Sequence, residues 1–174
     1  MKKQAYYYLI TFALFVLFKF AYRYADTDML LFLLKPTDKL ISILTTSNSI
    51  YMPDIGFYHK QIDIVIDKSC AGFNFWMLSF LMLSFLGLKY VSSKWRQLGI
   101  IPLALIGAYI LTLFVNTSRI FVAISIQNQT KSLSINQHII HEAIGIVTNL
   151  SFLIIAYFLI DKILIKTTNY EKLA

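Results

Sequence analysis

The sequence predicts an all-α polytopic membrane protein: about four core transmembrane helices, an interfacial helix and a short extracytoplasmic β-hairpin. Three observations predict it. Of the 174 residues, 57% are hydrophobic and 14% charged, with a mean hydropathy of +0.64, whereas soluble domains carry roughly 25% charge. The apolar residues fall into four runs, Ala5–Tyr22, Ala71–Leu88, Leu98–Val115 and Ile144–Ile160, and spanning a hydrocarbon core of roughly 30 Å takes about 20 helical residues. Finally, the basic residues that flank these runs fall on one side.

That asymmetry orients the runs, because Lys and Arg in short loops stay cytoplasmic. Lys2 and Lys3 precede the first run, Lys89, Lys94 and Arg96 fill the second connection, and Lys162, Lys166 and Lys172 follow the fourth. All lie inside if both termini are cytoplasmic. The opposite side then holds Asp26, Asp28, Asp38, Asp54, Asp63, Asp67 and Glu142. The formal charge of +7 is thus mostly topology, and no nucleic-acid partner is expected. The first run could serve as a signal peptide, but no small-residue cleavage site follows it and Phe20-Ala21-Tyr22-Arg23 reads as a helix end.

Arg23–Ser69 is too long for a bare connection. Met29–Leu44 is apolar but broken by Lys35, Pro36, Asp38 and Lys39, which argues against a fifth span and for an interfacial amphipathic helix kinked at Pro36. Ile62–Asp67 alternates with period two and, with Gly56-Phe57-Tyr58 before it, reads as a β-hairpin. His59 in that hairpin is expected to face solvent. With no internal repeat, low-complexity tract or flexible linker, residues 1–174 read as one membrane-embedded domain.

The single cysteine, Cys70, stands where Asp67-Lys68-Ser69 meets the second run. Alone, it cannot form an internal disulfide, so it is either packing or a nucleophile. Arg119 interrupts apolar sequence near the outer end of the third run, a costly position unless it snorkels or faces a polar site. Asn116, three residues earlier, shares its helical face. His138 and His141 precede the fourth run, where each is either a solvated interface residue or a catalyst. A thiol, a guanidinium and an imidazole thus converge on the outer ends of three neighbouring helices. A thiolate is favoured by a helix N-terminus and by nearby cations such as Lys68 and Arg119. An imidazole moves protons and a guanidinium stabilises an oxyanion. This is equipment for acyl transfer through a thioester, with no cofactor. Asn74, one turn after Cys70, either lines the site or packs. Glu142 is adjacent to His141 and so points in a different direction. Thiol oxidoreductase chemistry would need paired cysteines. A metal on Cys70, His138 and His141 would lack a fourth ligand and matches no zinc spacing.

Cys70-Ala71-Gly72-Phe73, Asn116-Thr117-Ser118-Arg119 and His141, four residues before Gly145, resemble the three motifs of the exosortase and archaeosortase family. That family comprises polytopic membrane proteins with an extracytoplasmic Cys, Arg and His or second Arg triad. The resemblance spans about Ile62 to Leu150, and the chain is smaller than eight-helix members, resembling the short bacterial forms such as exosortase K. It implies a cysteine protease or transpeptidase in the bacterial cytoplasmic (inner) membrane, with both termini cytoplasmic and the site outside. The implied partner is the C-terminal tail of exported proteins, made of a Pro-Glu-Pro-like motif, a transmembrane helix and a basic cluster. Cleavage would hydrolyse the tail or transfer the protein to a glycan or lipid acceptor. Carried over, Cys70 is the nucleophile, Arg119 the stabiliser and His141 the proton shuttle; from their positions in this sequence, His138 is the other candidate shuttle and Asn74, Asn116 and His138 are expected near the substrate. The alternative is a non-catalytic membrane scaffold or accessory subunit, in which Cys70 packs and Arg119 anchors.

Overall fold

A computed structural model describes residues 2–91, 93–130 and 137–173, with side chains at 5–91, 93, 95–126 and 142–167. The elements run α1 (Lys2–Tyr24), α2 (Leu31–Thr45), β1 (Ser49–Met52), β2 (Gly56–His59), β3 (Ile64–Ile66), α3 (Phe73–Tyr90), α4 (Lys94–Thr130) and α5 (Gln137–Leu173). Short 3-10 turns at Asp28–Leu30 and Lys68–Cys70 precede α2 and α3. Helix accounts for 80% of the structure, and α1, α3, α4 and α5 are long and apolar enough to cross a membrane. The expected four long helices are therefore present, beside a small sheet.

Two of them outrun the expectation. α4 and α5 each extend over 37 residues, so Arg119 stands inside α4 and not near its end. The polar residues that mark an end in sequence are absorbed by the helix itself: Ser118 Oγ donates to the Phe114 carbonyl at 2.9 Å and Ser125 Oγ to that of Phe121 at 3.0 Å. A hydroxyl bonded back one turn needs no other partner.

The chain divides into two compact units. The first comprises Met1–Arg23, Asn74–Leu111 and Ser151–Ala174. α3 is its centre, with 56% of its apolar stretch buried against 6% for α1 and 11% for α5. Trp76, Met77 and Phe80 of α3 and Ala104 and Ala108 of α4 are buried. The Trp76 ring lies 6.2 Å from those of Phe18 and Tyr109, and its Nε1 donates to the Leu105 carbonyl at 3.1 Å. Tyr90 Oη donates to Asp161 at 2.7 Å. Leu9, Leu17, Phe20, Leu103, Ile106 and Phe158 point outward, an apolar surface far more extensive than solitary exposed side chains of a soluble protein.

The second unit comprises Tyr24–Phe73 and Thr112–Leu150. α2 buries Leu33, Leu34, Thr37, Asp38 and Ile41, the spacing of one helical face, and leaves Phe32, Leu40, Ile43 and Leu44 exposed beside Lys35 and Lys39. The helix runs through Pro36, whose missing N–H removes one backbone bond, to the Phe32 carbonyl. It ends where Thr46 turns left-handed at φ 52° and returns its N–H to Ser42.

The sheet is antiparallel in the order β1-β2-β3. β2 and β3 are the expected hairpin, with Phe57 opposite Ile66 and His59 opposite Ile64; β1 is an additional strand, with Tyr51 opposite Phe57. Gly56 is required, because a Cβ there would sit 2.3 Å from the Ile66 carbonyl oxygen. His59 departs from expectation: it is fully buried. Its Nδ1 shares a hydrogen bond with Ser47 Oγ at 2.8 Å, and its Nε2 lies 2.9 Å from Asp38 Oδ1, out of line for a hydrogen bond but in ion-pair range. Ser47 Oγ in turn lies 2.6 Å from Thr45 Oγ1, which donates to the Ile41 carbonyl at 2.7 Å. Strand alternation turns His59 and Phe57 to one side, and both are buried.

Candidate active site

Cys70 is held from both sides of the chain. Asp67 caps the turn that carries it: the Asp67 carboxylate accepts from the Ser69 N–H at 2.9 Å, the Ser69 hydroxyl at 2.6 Å and the Cys70 N–H at 3.2 Å. The spacing Asp67-x-Ser69 is the sequence signal for an Asx cap of this kind. Lys68 is turned away, its Nζ donating to the Ala25 carbonyl at 2.6 Å. The Cys70 carbonyl accepts from Asn116 Nδ2 of α4 at 2.6 Å.

Gly72 explains the Cys-x-Gly spacing. Its φ of +69° separates the 3-10 turn from α3, so Cys70 ends its own turn and does not open the long helix as the sequence implied. A Cβ at Gly72 would meet Asn116 Cγ at 2.9 Å. Glycine is therefore needed twice, for the left-handed backbone and for the approach of Asn116.

Arg119 follows Asn116 by one turn on the same face. Its Nε and Nη2 are buried and, among the described residues, have no hydrogen-bond partner. On its other side is Gly145 of α5, where a Cβ would be in ordinary contact with Arg119 Cδ at 3.7 Å and Nη1 at 3.8 Å. Cys70 itself is only 9% exposed. The Arg119 guanidinium lies within electrostatic reach of the thiol.

The structure thus joins Cys70, Gly72, Asn116, Arg119 and Gly145 in one contact set. His138 and His141 fall in helical backbone of α5, but their side chains lie outside the described residues. Position 141 precedes Gly145 by four residues, which places it on Gly145's helical face. Asn74 belongs to the first unit, where it is exposed and accepts from Lys19 Nζ at 2.6 Å. Asn116 is buried, with its amide nitrogen committed to Cys70, so it positions the thiol's backbone. Among the described residues, no three His, Cys, Asp or Glu side chains cluster as a metal site requires.

Chemically, this set offers a thiol on a fixed backbone and a guanidinium with two buried nitrogens that no described residue hydrogen-bonds. The fold class is that of a mostly helical protein with four helices able to span a membrane and a three-stranded sheet. Comparison with protein-family models, curated proteins and solved structures gives no match.

Proposed function

We propose that this chain is a membrane-embedded cysteine peptidase or transpeptidase of the exosortase kind. One observation carries the reading: the three sequence motifs, far apart in the chain, meet around Cys70 through Gly72, Asn116, Arg119 and Gly145. Apolar faces on the long helices, and the exposed apolar residues of α2 beside Lys35 and Lys39, fit insertion in a bacterial cytoplasmic membrane with α2 at the interface. Both termini are assigned to the cytoplasm and the site to the outer side, from the distribution of Lys and Arg. The substrate is the C-terminal tail of an exported protein.

In the reaction, an imidazole, that of His141 or His138, takes the proton of the Cys70 thiol. The thiolate attacks the scissile carbonyl, and the Arg119 guanidinium stabilises the oxyanion that forms. The C–N bond then breaks, and the leaving amine takes the proton held by the imidazole. The resulting thioester is attacked by water or by an acceptor amine, the attacking group loses a proton, and Cys70 is released as the thiol.

Co-expression with a tailed substrate tests this. Processing should stop in Cys70→Ala; unchanged processing would sink the mechanism. A second reading, a non-catalytic scaffold, rests on the burial of Cys70. It predicts that a thiol reagent applied from outside at neutral pH labels Cys70 only after denaturation, whereas the peptidase reading expects labelling of the folded protein.

A further inference from the structure

We propose that the substrate docks as an extended strand on the open edge of β3, carrying a Lys or Arg side chain beside Asp63 or Asp67. The proposal rests on the peptidase reading and specifies how its substrate is held. A cavity of about 250 Å³ adjoins Cys70, lined by Asp63–Asp67, Ser69 and Cys70 on one side and by Ile120, Ala123 and Ile124 on the other. Side chains of a strand alternate between faces. A cavity lying on one face would skip alternate strand residues, yet this one meets Ile64, Val65 and Ile66 in succession, with Asp63 and Asp67 at the two ends of the strand. It therefore runs along the strand's edge.

That edge is unpaired. β2 occupies one side of β3, and in the order β1-β2-β3 no described strand occupies the other. An exposed edge is a template for a further strand, and adding one to an enzyme's sheet aligns a peptide by its main chain, with alternate side chains read for specificity. The turn after β3 folds Cys70 back into the same cavity, so a peptide in register with β3 brings its carbonyls past the sulfur. The charged residues lining the cavity are Asp63 and Asp67. Both favour a cationic side chain in the paired segment and oppose an acidic one, and proline, lacking an N–H, is excluded from the positions that bond to the edge, so a Pro-Glu-Pro-like motif in the tail would lie beside the paired segment and not within it.

The test uses the full chain in lipid nanodiscs and a peptidyl reagent, acetyl-Val-Lys-Val-Ala-chloromethyl ketone. The rate of Cys70 alkylation is read by mass spectrometry relative to iodoacetamide. The peptide should accelerate alkylation about tenfold or more, and N-methylation of one alternate set of its amides should remove about tenfold while the other set changes little, since only one set faces the edge. Replacing its Lys by Glu should slow the reaction, and Asp63→Asn should narrow that difference. No acceleration, or equal loss from both methylated sets, overturns strand docking. If that occurs while processing still depends on Cys70, only the docking falls. If the alternation holds while processing survives Cys70→Ala, the docking stands and the catalytic reading falls.

Discussion

His59 and Arg119 are both polar residues drawn into the interior of the second unit, and their surroundings differ in one respect. His59 is closed: Ser47 meets one ring nitrogen and Asp38 the other, and Thr45 ties Ser47 to α2. Arg119 is open, with two buried nitrogens that no described residue hydrogen-bonds. A buried polar group without a partner costs about 1–3 kcal/mol, more when charged. The fold gives the unbonded nitrogen of His59 an acid within ion-pair range, whereas the two buried nitrogens of Arg119 have no hydrogen bond among the described residues. The sequence places His59 at the surface and leaves Arg119 between snorkelling and facing a polar site.

The largest effect that can break this contrast is on rate. Arg119→Ala should cut substrate processing by about 10²–10³-fold, the loss seen when one oxyanion-stabilising donor is removed, and should leave the unfolding temperature unchanged or raised, because an unpartnered charge disappears. Arg119→Lys should recover little, since a point charge does not reproduce the planar fork. His59→Ala should do the reverse. Removing the ring that Ser47 hydrogen-bonds should cost about 1–3 kcal/mol, read as a lower unfolding temperature in detergent, while processing per folded molecule holds. If Arg119→Ala destabilises and His59→Ala spares stability, the assignments exchange.

How far this was legible in the sequence depends on the range of the interaction. The four apolar runs, the helical face of α2 and the β2–β3 hairpin follow from local periodicity, which is why they appear where expected. Cys70-x-Gly72 and Asn116-x-x-Arg119 were visible as spacings, but the reason for Gly72 is a contact with Asn116 across 44 positions (116 − 72), which no local pattern encodes. The burial of His59 depends likewise on Asp38, 21 positions earlier (59 − 38). β1 was missed because Ser49-Ile50-Tyr51-Met52 is short and lacks clear alternation; pairing with β2 makes it a strand. The true lengths of α4 and α5 were hidden by polar residues that look like helix ends and are satisfied within the turn, as Ser118 is.

A smaller perturbation probes the open site through its backbone. Gly72→Ala places a Cβ 2.9 Å from Asn116 Cγ at a φ of +69°, and a left-handed non-glycine residue costs about 1–2 kcal/mol. The stability loss should be of that order, and the fall in processing should be larger, because Asn116 must yield and the Cys70 carbonyl loses its donor. Adding Asn116→Ala to Gly72→Ala should restore part of the stability and none of the activity. A double variant that regains processing would show that Asn116 does not position Cys70.

The smallest effect belongs to a polar contact that is neither closed nor open but exposed. Tyr51 Oη donates to Asp28, and that hydrogen bond, followed by burial and the nearby Asp28 and Asp54 charges, pushes the phenol up to about 12. An unfolded tyrosine ionises near about 10. Because the folded value is the higher, the contact's contribution is complete below about pH 10 and disappears as pH rises through about 12. The tyrosinate difference spectrum between wild type and Tyr51→Phe should therefore show one transition near that upper value. Their difference in unfolding temperature at pH 8, small because the pair is exposed, should vanish there too. A transition near about 10 would mean that Asp28 does not hold the hydroxyl, and β1 would then be kept in the sheet by its pairing with β2 alone.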